Sequence, residues 1–300
     1  MNLFIENDAD VRTDQGYSHG GKLSALFLRK NHSDSLLHIP FIDYKVGDSY
    51  ISFSYAQELF TPEDIEATEL VIDDRPYAGY MNLQVALHNS SHNVLRSLTT
   101  QVGIVGPSAK MEQVQKFVHS IVGSPTPEGW DNQLHDELIF QLNYGEKRYY
   151  KLEKIKELDS VIITDLGFEL GNASTKLFGG AMWRLGWGVP EDYGTYSIDN
   201  HSYSKVPLKA AEIHHKKEWD FCFNFALRAN AIARNIFLDG NSDGDSHSVE
   251  KENFVLEGSY GFSLIYDNMS LDYTRTHSTK EFSQQDNFLG YGSLEFSYNF

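Results

Sequence analysis

The chain finishes on Leu294-Glu295-Phe296-Ser297-Tyr298-Asn299-Phe300, a strict alternation of apolar and polar side chains. Period two places Leu294, Phe296, Tyr298 and Phe300 on one face of a strand and Glu295, Ser297 and Asn299 on the other. A bare amphipathic strand is a hazard in a water-soluble sheet, because its unpaired edge recruits other chains. Closing the sheet into a barrel removes the edge, and a bilayer gives the apolar face a solvent of its own. This one segment therefore predicts an all-β fold, a transmembrane antiparallel β-barrel.

The same period recurs upstream. Ile51, Phe53 and Tyr55 alternate with serines, and Leu83, Val85 and Leu87 alternate with Gln84, Ala86 and His88. Further alternating segments fall near 2–8, 18–29, 93–106, 138–150, 159–171, 176–187, 218–238, 251–266, 269–279 and 290–300. Turn signals separate them, as at His88 to His92 and at Tyr266-Asp267-Asn268-Met269. The total is about twelve strands. The run from Trp219 to Leu238 is too long for a sandwich strand and suits a tilted barrel strand. One stretch, Lys110 to Val122, reads as helix, with Met111, Val114, Phe117, Val118 and Ile121 at helical spacing and Gly123 as a stop. No internal repeat divides the chain, so residues 1–300 are expected to form one domain.

Composition narrows the function. Net charge is −17, with no basic stripe, which argues against a nucleic-acid partner. Mean hydropathy is −0.41, and no stretch approaches the roughly 18 apolar residues of a membrane helix. A barrel tolerates this, since only its outer band is apolar. Cys222 is alone, which excludes an intrachain disulfide and a thiolate metal cage. From Met1 the chain runs straight into Leu3-Phe4-Ile5 without a signal-peptide pattern, so an exported protein is expected here in mature form.

Counting strands gives sides. The odd-to-even connections, including 9–17, 60–76, 107–136 and 239–250, share one rim, and those four hold the chemically suggestive residues. Glu6-Asn7-Asp8-Ala9-Asp10 offers hard oxygen donors at a strand end, suited to calcium, while composition alone favours a solvated turn. His119 follows Gln115 by one helical turn, as a candidate base or as a surface histidine. Arg75, after Asp73-Asp74, could clamp a phosphate or pair with carboxylates. Asp239 to Glu250 matches the spacing of an EF-hand loop, but its flanks read as strands and Ser246 replaces the expected apolar residue. No G-x-S-x-G elbow occurs. Gly179-Gly180 and Gly290-Tyr291-Gly292 lie in strands and read as barrel bends, not phosphate loops.

Taken together, these segments resemble the lipid A 3-O-deacylase family of Gram-negative outer membranes. The matching pieces are Glu6-Asn7-Asp8, Thr13-Asp14 through Tyr17-Ser18-His19-Gly20, Asp74-Arg75-Pro76-Tyr77-Ala78-Gly79 and Gly103 through Pro107. Gln115 through His119, Gly129-Trp130-Asp131-Asn132-Gln133 and Phe237 through Asn241 continue the match in order. The resemblance implies a twelve-stranded, outer-membrane barrel acting as a monomer on lipid A, with a calcium-dependent site near the outer rim. It implies His119 as base, with Asn7, Asp8, Ser18 and Gln115 in the site. Asp8 and Asp10 would be the metal carboxylates, and Arg75 the contact to lipid A phosphate. The chain departs from the family in one respect. Pro125 stands at the spacing where some members carry a site glutamate, and Glu128 follows three residues later.

The implied chemistry is ester hydrolysis by a His-activated water. Three other readings remain open at this point: an outer-membrane phospholipase with a serine nucleophile, a non-enzymatic barrel serving as channel or adhesin, and a soluble ligand-binding β protein, which would fold without detergent. Of the other histidines, His201 and His214 fall in a connection assigned to the periplasmic side and are expected to be catalytically silent.

Overall fold

Alternation carries through to the observed sheet. The computed structural model describes residues 1–7, 16–29, 47–194, 205–209, 218–285 and 289–299. Asp8, Asp10, His201, His214 and Phe300 lie outside them. Twelve strands occur among the described residues. They are β1 (Asn2–Asn7), β2 (Gly16–Leu28), β3 (Asp48–Thr61), β4 (Ala78–Ser91), β5 (Val94–Val105) and β6 (Glu137–Lys151), then β7 (Asp159–Gly171), β8 (Ser174–Trp187), β9 (Trp219–Asn235), β10 (Phe254–Tyr266), β11 (Met269–Ser278) and β12 (Leu289–Tyr298). Each pairs antiparallel with its chain neighbours, and β1 pairs with β12, so the barrel closes. The C-terminal strand thus has no open edge.

Burial follows the pleat. Leu294, Phe296 and Tyr298 face outward, while Glu295 and Ser297, 1% and 4% exposed, face the lumen. The β9 pattern ends at Asn235 and not at Leu238. The Asn235 side chain accepts a hydrogen bond from the Phe237 amide at 3.1 Å and caps a single helical turn, α2 (Ile236–Asp239).

Both termini share one rim with the turns at 92–93, 152–158 and 267–268. The opposite rim carries the connections 62–77, 106–136 and 236–253. The terminal side also carries the long 188–218 connection between β8 and β9, and the opposite side the two-residue turn at 172–173, so the short-turn, long-loop asymmetry usual in outer-membrane barrels holds here for some connections and not for others.

The lumen is filled. At the loop rim, Phe60, Tyr80, Val105, Ile139 and Ile236 form an inward apolar cluster, with Phe237 stacked on Phe60 at 3.9 Å. At the terminal rim, Tyr50, Leu95, Tyr149, Ile163, Val189, Tyr193 and Val206 form another, built partly by the β8–β9 connection folding inward. Between them lie paired polar groups: Arg228 with Asp165, Glu6 accepting from Tyr17 and Ser293 at 2.8 and 2.6 Å, and Asn2 donating to Glu295 at 2.7 Å. Two apolar plugs around a hydrogen-bonded interior leave little room for a conducting path and weigh against the channel reading.

Candidate active site on the outside of the barrel wall

The β5–β6 connection holds the longer helix, α1 (Met111–Val122). Its position follows from strand parity. Along β4, Leu83 and Val85 point away from the lumen, and Gly79 shares their face. A Cβ on Gly79 would meet the Met111 Cβ at 2.8 Å, so the missing side chain is what lets the helix sit there. Leu59 shares the outward face of β3 with Phe53 and Tyr55, yet it is 1% exposed because it packs in the same cluster as Met111 and Trp130. Ile104 of β5 joins them. The helix therefore lies against the outside of the barrel wall, at the loop rim, in contact with β4 and β3.

Local chemistry locks this segment in place. Ser108 donates through its amide and its hydroxyl to Asp136, at 2.8 and 2.6 Å, tying the segment's two ends together. The Glu128 amide donates to the Ile65 carbonyl at 2.8 Å, and Asn132 donates to Thr68 O at 2.9 Å, joining it to the β3–β4 connection. Gly123, at φ 77°, ends the helix with its amide donating to the His119 carbonyl at 2.8 Å.

The wall-facing side of α1 is Met111, Gln115 and His119, one turn apart. His119 Nδ1 is 2.6 Å from the Pro125 carbonyl oxygen. A carbonyl can only accept, so Nδ1 carries the proton in the neutral ring and Nε2 is the basic nitrogen. The departure noted in sequence thus has a structural counterpart: a backbone carbonyl takes the orienting position. Beside it, Trp130 Nε1 donates to Gln115 Oε1 at 2.8 Å. An indole nitrogen can only donate, which fixes the amide orientation. Gln115 Nε2 is then a buried donor without a hydrogen-bond partner among the described residues. Trp130 itself is buried against Tyr77, ring centroids 5.0 Å apart.

Asn7 and Ser18 share that outer surface. Asn7 continues the outward face of Leu3 and Ile5 on β1. In β2 a bulge falls between Tyr17, paired with Phe60, and His19, paired with Leu59. Tyr17 stays in the lumen, and the bulge leaves Ser18 with its Oγ 2.6 Å from Thr61 Oγ1, at an outward position of β3. Asn7 Nδ2 donates to the Ser18 carbonyl at 3.0 Å. These groups and α1 meet the outer end of β3 from its two sides. The donors here are amide, hydroxyl and carbonyl oxygens, hard ligands of the kind calcium takes. The carboxylates expected to complete the set, Asp8 and Asp10, are the ones outside the described residues.

Arg75 lies further around the rim. Its guanidinium is ion-paired with Glu281 of the β11–β12 connection and flanked by the rings of Phe60 and Phe282. The residue is 2% exposed. In the β9–β10 connection, Asp239 pairs with Lys251 at 2.8 Å, and Asn241 braces His135 through the amide and carbonyl of its backbone, at 2.9 and 3.0 Å. Among the described residues, no group of three or more His, Cys, Asp and Glu side chains gathers as a metal site. Asn241 thus ties the 239–250 loop to the end of the helix-bearing connection, and the loop is preceded by the single turn α2 and not by the longer helix of an EF-hand.

Sequence reasoning did not assign the Trp130 hydrogen bond, the Pro125 carbonyl, Thr61 or Glu281. Trp130 had a signal, as a member of a matched motif. The others had none, since each depends on which segments the closed barrel brings together.

Comparison with known proteins bears on the family and the fold. The Outer membrane protein LpxR family matches residues 1–300. Among solved structures, LpxR from Salmonella typhimurium is similar at 17% identity and a TM-score of 0.77, covering 100% of this chain and 99% of that one. The beta domain of the Bordetella autotransporter BrkA is 8% identical with a TM-score of 0.48, covering 100% of this chain and 97% of that one. No curated protein sequence matches significantly. With the family matched from end to end and a closed twelve-stranded barrel beneath it, this chain belongs to the LpxR family of Gram-negative outer-membrane barrels, the lipid A 3-O-deacylase family that its motifs resemble.

Proposed function

We propose that this protein removes the 3-position acyloxyacyl unit of lipid A by ester hydrolysis in the crevice between α1 and the outside of the barrel wall. The observation that carries the reading is the 2.6 Å contact between His119 Nδ1 and the Pro125 carbonyl oxygen. The ring's Nδ1–H is held by that carbonyl, so Nε2 is the nitrogen able to take a proton from water. That water adds to the ester carbonyl. The tetrahedral intermediate collapses with the 3-oxygen of lipid A leaving, and the imidazolium returns its proton to that oxygen. The products are a free acyloxyacyl acid and a 3-hydroxyl.

Gln115 Nε2, oriented by Trp130, is suited to donate to the oxyanion. Calcium, when bound, would supply positive charge that polarises the carbonyl, and Asn7, Asp8 and Asp10 would hold it. Ser18 would help through its hydroxyl or backbone amide. Its hydroxyl is hydrogen-bonded to Thr61, which disfavours a serine nucleophile activated by histidine. Arg75 would contact a lipid A phosphate by exchanging its partner Glu281 for the anion.

Mass spectrometry of lipid A from cells expressing the chain is the test. A loss of mass equal to one acyloxyacyl unit is expected, and an unchanged profile from a folded, membrane-inserted barrel would refute the activity. A serine-directed phosphonate should leave turnover intact. Inhibition by it would favour the phospholipase class.

A further inference from the structure

Helix α1 presents three different sides. One faces the wall: Met111, Gln115 and His119, all buried. The second is polar: Glu112 and Lys116 form an ion pair at 2.8 Å one turn apart, and Ser120 continues the row. The Glu112 hydrogen bond holds the Lys116 ammonium above its ordinary pKa. The third is Val114, Phe117, Val118 and Ile121. Phe117 and Ile121 are 65% and 68% exposed, among the barest large apolar residues outside the strands.

The helix leaves β5 and contacts β4 and β3, so it crosses strand ends. One of its flanks therefore faces along the strands and the other faces the loop tips. The strands it crosses or adjoins carry exposed Leu83, Val102, Leu138 and Phe140 on their outward faces, the apolar belt of the barrel. Val114 packs against the wall cluster that also holds Met81 and Ile104, so the apolar flank runs into that belt without a polar break.

We infer that α1 is an interfacial membrane helix. Its Phe117–Ile121 flank is immersed in the acyl region of the outer leaflet, and its Glu112–Lys116 flank lies at the headgroups. The occupant of the exposed flank is lipid acyl chain, as continuity with the belt and the opposed charged flank require. This goes beyond the deacylase reading and does not depend on it. If both hold, an acyl chain reaches the Gln115–His119 side laterally from the leaflet, without passing through the lumen.

Nitroxide accessibility in the folded barrel tests this directly. Phe117→Cys, Ile121→Cys, Lys116→Cys and Ser120→Cys are each labelled after refolding and reconstituted in phosphatidylethanolamine–phosphatidylglycerol vesicles. Wild-type protein controls for the fully buried Cys222. Labels at 117 and 121 should be reached by oxygen and shielded from a water-soluble nickel chelate, at a depth of about 5–10 Å into the headgroup–acyl boundary. Labels at 116 and 120 should show the reverse. Equal chelate access on both flanks would overturn the inference. So would dipolar broadening between labels at 117 on different molecules, which would place a second copy of the chain there. These readouts do not use activity, so a failed deacylation assay leaves them intact.

Discussion

His88 and His119 are both buried, on opposite sides of the same wall. His88 points into the lumen, where Ser52 and Ser97 hydroxyls lie 2.9 and 2.8 Å from its two nitrogens. His119 lies outside, with a carbonyl oxygen on Nδ1. A hydroxyl can donate or accept, so the serines of His88 adapt to whichever tautomer is present. A carbonyl only accepts, so the surroundings of His119 select one tautomer and assign the basic nitrogen. The lumen is plugged at both ends. The outer site lies beside a packed apolar cluster that includes the outward-facing Met81 and Ile104. Burial alone therefore separates nothing here. Partner type and side of the wall do.

The largest effect should come from metal removal. Excess chelator, or Asp8→Asn, should abolish lipid A hydrolysis in detergent, with calcium restoring the chelated wild type. Full activity in excess chelator would remove calcium from the outer site. Next, Trp130→Phe keeps an aromatic ring but loses the donor that orients Gln115. One hydrogen bond of about 1 kcal/mol, at 1.4 kcal/mol per decade, corresponds to a loss of about fivefold. The loss should fall on kcat more than KM. A change in KM alone would make Trp130 a packing residue only.

The wall itself can be tested from both sides. Phe296→Arg puts a charge on the lipid face, which costs up to about 2–4 kcal/mol at the midplane and less toward the rim. Ser297→Arg faces the lumen beside Glu295, 3.3 Å from the present hydroxyl. Refolding yield should fall more for the first, and equal yields would contradict the assigned faces. The smallest effect is expected for Asp243→Ala, since its Oδ1 only accepts from the Asp245 amide at an exposed position. Turnover and calcium affinity should stay near wild type.

The barrel was legible because alternation is a local signal repeated in every strand, and the Tyr266–Met269 turn and the helix over 111–122 were read nearly to the residue. Side of the wall was less legible. The bulge between Tyr17 and His19 interrupts alternation by one residue and frees Ser18 from its neighbours' pattern. Helical spacing groups Met111, Val114, Phe117, Val118 and Ile121 on one stripe of α1, yet the structure buries Met111, Gln115 and His119 and exposes Phe117 and Ile121. A bilayer gives an apolar flank an alternative to protein packing, and hydrophobic periodicity cannot tell the two apart. The Arg75–Glu281 pair joins connections 206 residues apart, a contact set by barrel closure. His119 was singled out by family resemblance, since helical spacing alone did not separate it from a surface histidine.

The central claim is that the outer histidine is the base and the lumenal one is structural. His119→Asn and His88→Asn, refolded and assayed side by side on lipid A, test it most directly, with turnover normalised to folded barrel. The expected result is a loss of about 10²–10⁴-fold for His119→Asn with its barrel intact. His88→Asn should refold less well but keep its turnover per folded molecule. A folded His119→Asn barrel with near wild-type turnover would contradict the account.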